Sequence, residues 1–514
     1  MICGIKKCLV LTAILFFSSL LFAESLTKFT IVESIREHDL NPQTTSYASD
    51  AQLLTGLYEG LFTYDPVNLS PVYAIATDYR ISRDKKRWTF TICADACFSN
   101  GEKITAADVR DSWLRLLSTP DAPYASPLDV IVGAEAYRTG KGSEDDVAIY
   151  ANSENSLSIH LVKPANYLPK VLCHPAFSVV HRNPTVYSGP FYLDDMELGY
   201  YSLKKNPYYW DKDKVALEEI VLYQSDDEKE NAYYFNTGLA DWITAAVDTS
   251  ILIDKKSFHY NAEFATSYFF FKSDDSVWSY SEFRTALFEA FPWDEIRKDY
   301  YVQAKTFVYP LAGYPEIDGY SYTDLGEAKN LMAAAREKYG IPENQILTLT
   351  FEMPENGFSS ERLSVISDAW AQLGVELQIR VKKSQDYYGR VKASPSNLFI
   401  YTWIGDFADP LAFLELFRGD STLNDSLWKN AEFDKLIDLA AEATEEERYR
   451  LLGQAETILL DSCMVIPIHH PIITNVIDKN TCSGWSENAF DIHPLKYLNK
   501  KQDKTTAPNV VMAN

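Results

Sequence analysis

No stretch of this 514-residue chain has the composition of a linker, and no segment repeats. A single hydrophobic core stops growing at about 250–300 residues, so we expect about two to four domains. Domains that follow one another along a chain are usually joined by exposed stretches rich in Gly, Pro or polar residues. The absence of such a stretch predicts domains whose segments are interleaved in sequence.

Strand and helix patterns alternate in the C-terminal half of the chain. Residues 347–352 and 375–381 have the pattern of strands, and residues 360–373 between them have the pattern of a helix. A strand–helix–strand order is typical of parallel sheets that are covered by helices. We therefore predict an α/β architecture.

The N-terminus has the layout of a secretory signal peptide. Lys6 and Lys7 form a basic region, residues 8–22 carry no charge, and Ala23 precedes the first acidic residue. The uncharged stretch is shorter than the roughly 20 residues that a membrane-spanning helix needs. We predict cleavage near Ala23, export and, in a bacterium with two membranes, a periplasmic location.

The charge balance excludes one class of partner. The chain has 48 Lys and Arg residues against 72 Asp and Glu residues, a net charge of −24 at pH 7. Binding of nucleic acid needs a basic surface that neutralises phosphates, so we expect no nucleic-acid partner. The content of 46% hydrophobic and 23% charged residues is ordinary for a folded soluble protein.

Five cysteines remain after removal of a signal peptide, which is an odd number for an oxidising compartment. Cys93 and Cys97 could close a small disulfide across a turn, and two buried thiols would explain them about equally well. Cys463 and Cys482 could pair across a loop, which leaves Cys173 outside these pairs. No second pair of Cys or His lies at the spacing of zinc ligands, so we expect no metal site.

Signatures of catalysis are absent from the sequence, which contains no G-x-S-x-G, H-E-x-x-H or G-x-G-x-x-G motif. The glycines of residues 133–142 are spaced too widely for a phosphate loop, and Gly142 stands where Ser or Thr would bind magnesium. His469 and His470 are neighbours on a predicted strand and point to opposite faces, so they form a poor chelate. We predict a binding protein without a cofactor rather than an enzyme.

Short motifs follow one another along nearly the whole chain after the signal sequence. They are residues 40–42 (LNP), 56–61 (GLYEGL), 98–109 (FSNGEKITAADV), 112–113 (SW), 115–117 (RLL), 122–126 (APYAS), 133–137 (GAEAY), 189–192 (GPFY), 205–211 (KNPYYWD), 238–242 (GLADW) and 403–410 (WIGDFADP). In this order and spacing they resemble solute-binding family 5, the oligopeptide- and dipeptide-binding proteins of bacterial ABC importers. The resemblance extends over about residues 25–490.

The resemblance implies an α/β clamshell of the periplasmic-binding-protein type II class, with two lobes built from three domains and the ligand held between the lobes. In this family the first domain is discontinuous and carries the hinge strands, which agrees with the missing linkers. The implied division is 1–23 as signal peptide, 24–58 with 187–270 and 478–507 as domain I, 59–186 as domain II, 271–477 as domain III and 508–514 as a tail.

A receptor for many peptides meets an extended backbone with charged ends and variable side chains. It can bind the backbone as an added β-strand, and it must neutralise the ammonium because a buried unpaired charge is costly. The resemblance implies that Asp406 supplies this carboxylate and that Trp403 walls a side-chain pocket. It also implies that Tyr401 and Thr402 offer backbone groups to the peptide. The alternatives are that Asp406 only holds its own turn and that Trp403 packs in the core.

Other matched positions complete the expected peptide site. Tyr124 matches a pocket tyrosine of the family, or it is a buried structural residue. The resemblance implies that Arg36, Glu37 and His38 supply the opposing backbone ladder. Ile400 stands where tripeptide-selective members carry a basic residue that meets the peptide C-terminus, so the length of the ligand stays open.

The resemblance also implies the partners of the protein. They are short peptides as ligands and a membrane permease with its ATPase as the receiver of the closed form, and we expect the receptor itself to be a monomer. Two other functions remain open. The same fold can bind a nickel chelate, haem or an oligosaccharide, because fold alone does not determine function. An exported hydrolase is the more remote possibility.

Overall fold

Most of the chain after the predicted signal peptide is described by the computed structural model, which covers residues 27–45, 48–311, 313–405, 407 and 409–501. The predicted signal peptide and its cleavage position at Ala23, the predicted tail at 508–514 and Asp406 lie outside these residues. Within the covered ranges, none of the helices combines the length and the apolar character that crossing a bilayer requires.

The described residues form twenty strands in five sheets. In chain order the strands are β1 Lys28–Glu33, β2 Phe62–Tyr64, β3 Pro71–Tyr73, β4 Ala76–Ile81, β5 Arg87–Ile92, β6 Ile149–Ser153, β7 Ser156–His160, β8 Phe191–Glu197, β9 Tyr200–Lys205, β10 Glu219–Gln224, β11 Trp242–Ile243, β12 Phe258–Ala262, β13 Ala265–Phe271, β14 Leu347–Pro354, β15 Val375–Lys382, β16 Leu398–Ile404, β17 Val465–His469, β18 Ile472–Ile477, β19 Cys482–Ser483 and β20 Asn499–Lys500.

Thirteen α-helices lie between these strands in the same described ranges. They are α1 Ala48–Leu57, α2 Ala106–Ser118, α3 Ala134–Arg138, α4 Leu168–Val171, α5 Glu228–Asn236, α6 Ser281–Glu289, α7 Trp293–Arg297, α8 Leu325–Lys338, α9 Ser360–Ala371, α10 Ser384–Tyr387, α11 Leu411–Leu414, α12 Ala431–Glu442 and α13 Glu445–Asp461. The longest of the helices in the N-terminal half, α2, begins at a capping box in which the Thr105 N–H donates to Asp108 Oδ2 at 2.8 Å.

The largest sheet joins strands from three separated parts of the chain, in the order β12–β18–β11–β1–β10–β9–β8. Strand β1 lies in its middle and runs parallel to β10 and β11. All residues of β1 after Lys28 are buried, which is expected of a central strand covered on both faces. We call this the first sheet.

A second sheet has the order β15–β14–β16–β13–β17. Strands β14 and β15 are parallel and α9 lies between them in sequence, so the predicted strand–helix–strand unit is confirmed. Strand β13 is antiparallel to β16 and β17, and every one of its residues is buried. The central part of this sheet therefore belongs to the core. A smaller antiparallel sheet, β4–β5–β7–β6, forms a third part of the molecule, and α2 packs on it.

The chain crosses between the first and second sheets twice. Strand β12 belongs to the first sheet and β13 to the second, and β17 and β18 are divided in the opposite direction. The two crossing segments lie side by side, because the Glu263 N–H donates to Pro471 O at 2.9 Å. The crossings thus fall at residues 263–264 and 470–471, before the positions 270 and 477 at which the sequence analysis drew its domain boundaries.

The surroundings of the five cysteines and of His469 and His470 are those of residues that support the fold. All five cysteines, each within the described ranges, are free thiols, and Cys173, Cys463 and Cys482 are buried. Burial lowers the pKa of His469 to about 4, and the buried His470 lies with Nδ1 2.8 Å from Ala265 O. Across the described part of the chain, no group of three or more His, Cys, Asp or Glu residues is arranged to hold a metal ion.

Candidate functional site

Strand β16 carries three of the predicted site residues where the second sheet opens. Tyr401, Thr402 and Trp403 lie near its C-terminal end, and β13 runs antiparallel beside all three. On the other side, the ladder with β14 covers only Leu398 and Phe399. Beyond Phe399, β16 therefore has a neighbouring strand on one side only.

Backbone groups alternate along β16, so every second residue points away from β13. The Gly405 N–H donates to Phe264 O at 2.7 Å, so the backbone groups of Gly405 face the β13 side. Thr402 and Ile404 consequently point their N–H and C=O groups away from β13. Within the described ranges, no hydrogen bond occupies these groups. We call the outward backbone groups of these two residues the open edge.

The open edge ends at a tyrosine that the sequence analysis did not single out. Tyr387 donates its hydroxyl to Ile400 O at 2.7 Å and accepts the Ile400 N–H at 3.0 Å. The Tyr387 side chain is fully buried, and burial raises the pKa of its hydroxyl above the usual range. No local motif marks this residue, because its role depends on a contact with a different segment of the chain.

The side chain of Tyr401 is held in a polar network. Its hydroxyl donates to Asp425 Oδ2 at 2.8 Å, and Lys392 Nζ lies 3.6 Å from Asp425 Oδ1. Burial, followed by the nearby Asp425, raises the pKa of Tyr401, and burial also raises the pKa of Asp425. The backbone of Tyr401 faces β13, where it pairs with Tyr268. The open edge therefore consists of Thr402 and Ile404, rather than of Tyr401 and Thr402 as the resemblance implied.

Trp403 is half-buried at the end of β16. Its indole N–H donates to Ala412 O at 2.7 Å, which fixes the ring against α11. Asp406 follows three residues later and lies outside the described residues. Nearby, Asp409 is fully committed to a buried bidentate ion pair, in which Arg448 Nη2 and Nε lie 2.8 and 3.1 Å from its carboxylate oxygens. Asp409 is thus excluded as a ligand-binding carboxylate.

Tyr124 lies in the part of the molecule that carries the small antiparallel sheet. Its side chain is only 5% exposed, and its ring centroid lies 4.1 Å from that of His174. Burial lowers the pKa of His174 to about 3, so this imidazole is neutral. Two residues after Tyr124, Ser126 Oγ lies 2.9 Å from Thr422 Oγ1. Tyr124 is therefore close to a contact between the small sheet's part and the second sheet's part.

The segment with Arg36, Glu37 and His38 comes directly after β1. Arg36 donates to Glu33 Oε2 at 2.6 Å, and His38 is hydrogen-bonded to both Glu33 and Asp50. Burial would lower the pKa of His38, but the hydrogen bonds with Asp50 and Glu33 outweigh it, and the pKa is raised. The side chains of Arg36 and His38 are thus used within the first sheet's part, and that of Glu37 is exposed.

The backbone of this segment is partly occupied as well. The Ile35 N–H donates to Asp226 Oδ1 at 3.2 Å, and Arg36 O accepts from Gln224 Nε2 at 2.9 Å. These two bonds hold the segment in place after β1 and leave fewer of its backbone groups for a ligand.

Two charged contacts join the small sheet's part to the second sheet's part. Lys163, which follows β7, pairs with Asp438 on α12. The guanidinium of Arg448 lies over the ring of Tyr167, 4.4 Å from its centroid. The two parts therefore touch at several points.

Known proteins resemble this chain over most of its length. Residues 70–425 match the family described as bacterial extracellular solute-binding proteins, family 5, middle. The dipeptide-binding protein DppE of Bacillus subtilis (strain 168) is 28% identical over 453 residues, which cover 81% of this chain and 82% of that protein. The probable deoxycholate-binding periplasmic protein YgiS of Escherichia coli (strain K12) is 25% identical over 500 residues, 90% of each chain.

The fold also matches a solved structure. The murein tripeptide binding protein MppA of Escherichia coli superposes with a TM-score of 0.79 at 21% identity, covering 92% of this chain and 98% of that one. This agreement confirms the predicted α/β clamshell with two lobes.

Proposed function

Because the chain belongs to family 5 of the bacterial extracellular solute-binding proteins, we propose that it captures short peptides between its two lobes and delivers them to an ABC importer. The family consists of solute-binding receptors rather than enzymes. Two of the relatives are named for binding a dipeptide and a murein tripeptide, which supports peptides as the ligand class.

The open edge is the observation that carries this proposal. Thr402 and Ile404 present N–H and C=O groups that no described residue pairs with, at the end of an ordered sheet. An extended peptide can add to such an edge as a further strand. Backbone pairing is independent of side chains, so it suits a receptor for peptides of varied sequence. It also explains why this edge has no partner from the described part of the chain.

Side chains around the open edge are assigned by the same proposal. Asp406, which comes two residues after Ile404 in sequence, accepts the peptide ammonium, and Trp403 walls the pocket of a peptide side chain. Tyr124 borders the site from the opposite lobe. The segment of residues 36–38 faces the other edge of the peptide with its remaining backbone groups. The division into three domains belongs to the proposal, with the crossing segments at 263–264 and 470–471 as hinges.

The location and the partners complete the proposal. The chain is exported by the signal peptide that ends near Ala23, acts in the periplasm as a monomer, and passes its ligand to a permease with an ATPase. It binds without catalysis, so peptides recovered after incubation should have unchanged masses.

The role of Asp406 is tested by peptides with free and N-acetylated ends. A charge-assisted hydrogen bond contributes about 1.5–3 kcal/mol, so Asp406→Ala should weaken the binding of free-amine peptides about 10- to 150-fold by calorimetry. Asp420→Ala is the matched control, because the Asp420 side chain is 58% exposed and pairs only with nearby Arg418 among the described residues. Equal affinity of the wild type for free and acetylated peptides would contradict the assignment.

A second ligand class has one specific observation in its favour, the similarity to a probable deoxycholate-binding protein. Native mass spectrometry of the purified protein with its carried-over ligand separates the two classes. A set of peptide masses supports the main proposal. A single steroid acid, metal chelate, haem or oligosaccharide would replace it.

A further inference from the structure

A single phenol occupies both backbone groups of Ile400, at the point where the second sheet opens. The Tyr387 hydroxyl donates to Ile400 O at 2.7 Å and accepts from Ile400 N at 3.0 Å. One side-chain group thus makes the two hydrogen bonds that one residue of an added antiparallel strand would make.

The position of this contact along β16 gives it a consequence. The residues that point away from β13 are Leu398, Ile400, Thr402 and Ile404, because the direction alternates along a strand. Leu398 lies in the ladder with β14, and Ile400 is bonded to Tyr387. Among the outward-facing residues of β16, Thr402 and Ile404 are the ones that no other described residue occupies, and they are left for a ligand.

Tyr387 is held firmly in this place. It is the last residue of α10, its side chain has no exposed surface, and its ring lies 5.2 Å from that of Tyr388 and 5.9 Å from that of Tyr401. A peptide that reached Ile400 would have to displace a buried hydroxyl from two hydrogen bonds. The displaced hydroxyl would then be buried without a partner, which is costly.

We propose that Tyr387 ends the backbone ladder of a bound peptide, so that the receptor reads the peptide backbone along Thr402 and Ile404 and the rest of the peptide leaves the strand. This inference rests on the proposed function, and it makes Tyr387 the residue that sets how much of the peptide backbone is read on β16. With the ammonium at Asp406, the ladder covers the first residues of the peptide. Further residues add no hydrogen bonds on β16.

A scan of N-methylated peptides tests the inference. The probes are an alanine hexapeptide with one lysine and its analogues, each with a single N-methylated peptide bond. Methylation of a hydrogen-bonded amide should weaken binding about tenfold, whereas methylation of a free amide should have little effect. In Tyr387→Ala both the hydroxyl and the ring are removed, so the carbonyl of Ile400 is free and the space beside it is open. One additional amide of the peptide, two residues beyond the one bonded to Thr402, should then become sensitive.

Tyr209→Ala is the matched control, because it also removes a fully buried phenol, one whose hydroxyl donates to Glu59 and not to a residue of β16. It should leave the pattern of sensitive amides unchanged. An identical pattern in the wild type and Tyr387→Ala would overturn the inference. If the wild type bound no peptide, the proposed function would fail, and this inference with it.

Amide hydrogen exchange of the wild type gives a test that does not depend on a variant. On addition of the hexapeptide, exchange at the Thr402 and Ile404 amides should slow at least tenfold more than exchange at the Ile400 amide, which Tyr387 already holds. Equal additional protection at all three amides would overturn the inference.

Discussion

The buried carboxyl of Glu263 should make the stability of the protein depend on pH. Glu263 lies at the crossing between the first and second sheets and is 9% exposed. No hydrogen-bond donor or cation in the described ranges contacts its carboxylate, and burial, together with the charge of Asp491, raises its pKa from 4.5 to about 7. The folded protein therefore holds a proton on Glu263 at pH values at which the unfolded chain has released it.

The sign and size of the effect follow from this difference. A folded-state pKa above the unfolded value favours the folded state less as the pH rises, because the unfolded chain gains the free energy of ionisation first. The loss begins near pH 4.5 and is complete above about pH 7. At about 1.36 kcal/mol for each pH unit between the two pKa values, it amounts to about 3 kcal/mol.

Glu263→Gln removes the ionisable group and keeps the shape of the side chain. In urea unfolding followed by Trp fluorescence, the variant should be about 3 kcal/mol more stable than the wild type at pH 8, and within about 1 kcal/mol of it at pH 5. Glu218→Gln, at a side chain that is 61% exposed, should differ from the wild type by less than about 0.5 kcal/mol at both pH values. The reasoning would be refuted if Glu263→Gln changed the stability equally at pH 5 and pH 8.

Two further predictions concern ion pairs of different burial. Arg448→Met leaves the buried Asp409 without its bidentate partner and should lower the free energy of unfolding by about 3–5 kcal/mol. Adding Asp409→Asn to the same chain should recover most of this loss. A double variant as unstable as the single variant would contradict the buried charge as the cause. Lys163→Ala removes the ion pair with Asp438, in which the Lys163 side chain is 20% exposed and the Asp438 side chain 51% exposed. Peptide affinity measured by calorimetry should therefore fall no more than about fivefold, and less at high ionic strength. A larger loss that persists in high salt would contradict a solvent-screened contact.

Local patterns predicted the elements of the fold well. The predicted strands at 347–352 and 375–381 and the helix at 360–373 correspond to β14, β15 and α9, because hydrophobic periodicity reflects the burial of each element. The predicted domain boundaries at 270 and 477 differ from the crossings at 263–264 and 470–471. Strand β13 is buried at every position, so it shows no alternation of buried and exposed residues that would indicate which sheet it joins.

The candidate site was less predictable from the sequence than the strands and helices were. The motif around Trp403 lies at the end of β16 where the sheet opens. It did not distinguish Tyr401 from Thr402, because the direction of a backbone group depends on which strand lies beside it. Asp425 and Lys392, which hold the Tyr401 side chain, carry no motif at all.

The sequence by itself determined that this chain is an α/β protein of the solute-binding family, and it predicted interleaved domains, export and a site at the end of β16. These properties depend on residue types within short windows, which a sequence displays directly. Only the tertiary structure decided that Thr402 and Ile404 form the open edge and that Tyr387 closes it at Ile400. The reason is that hydrogen-bonding capacity on a strand is set by what occupies the space beside it, and here that neighbour comes from a separate segment of the chain.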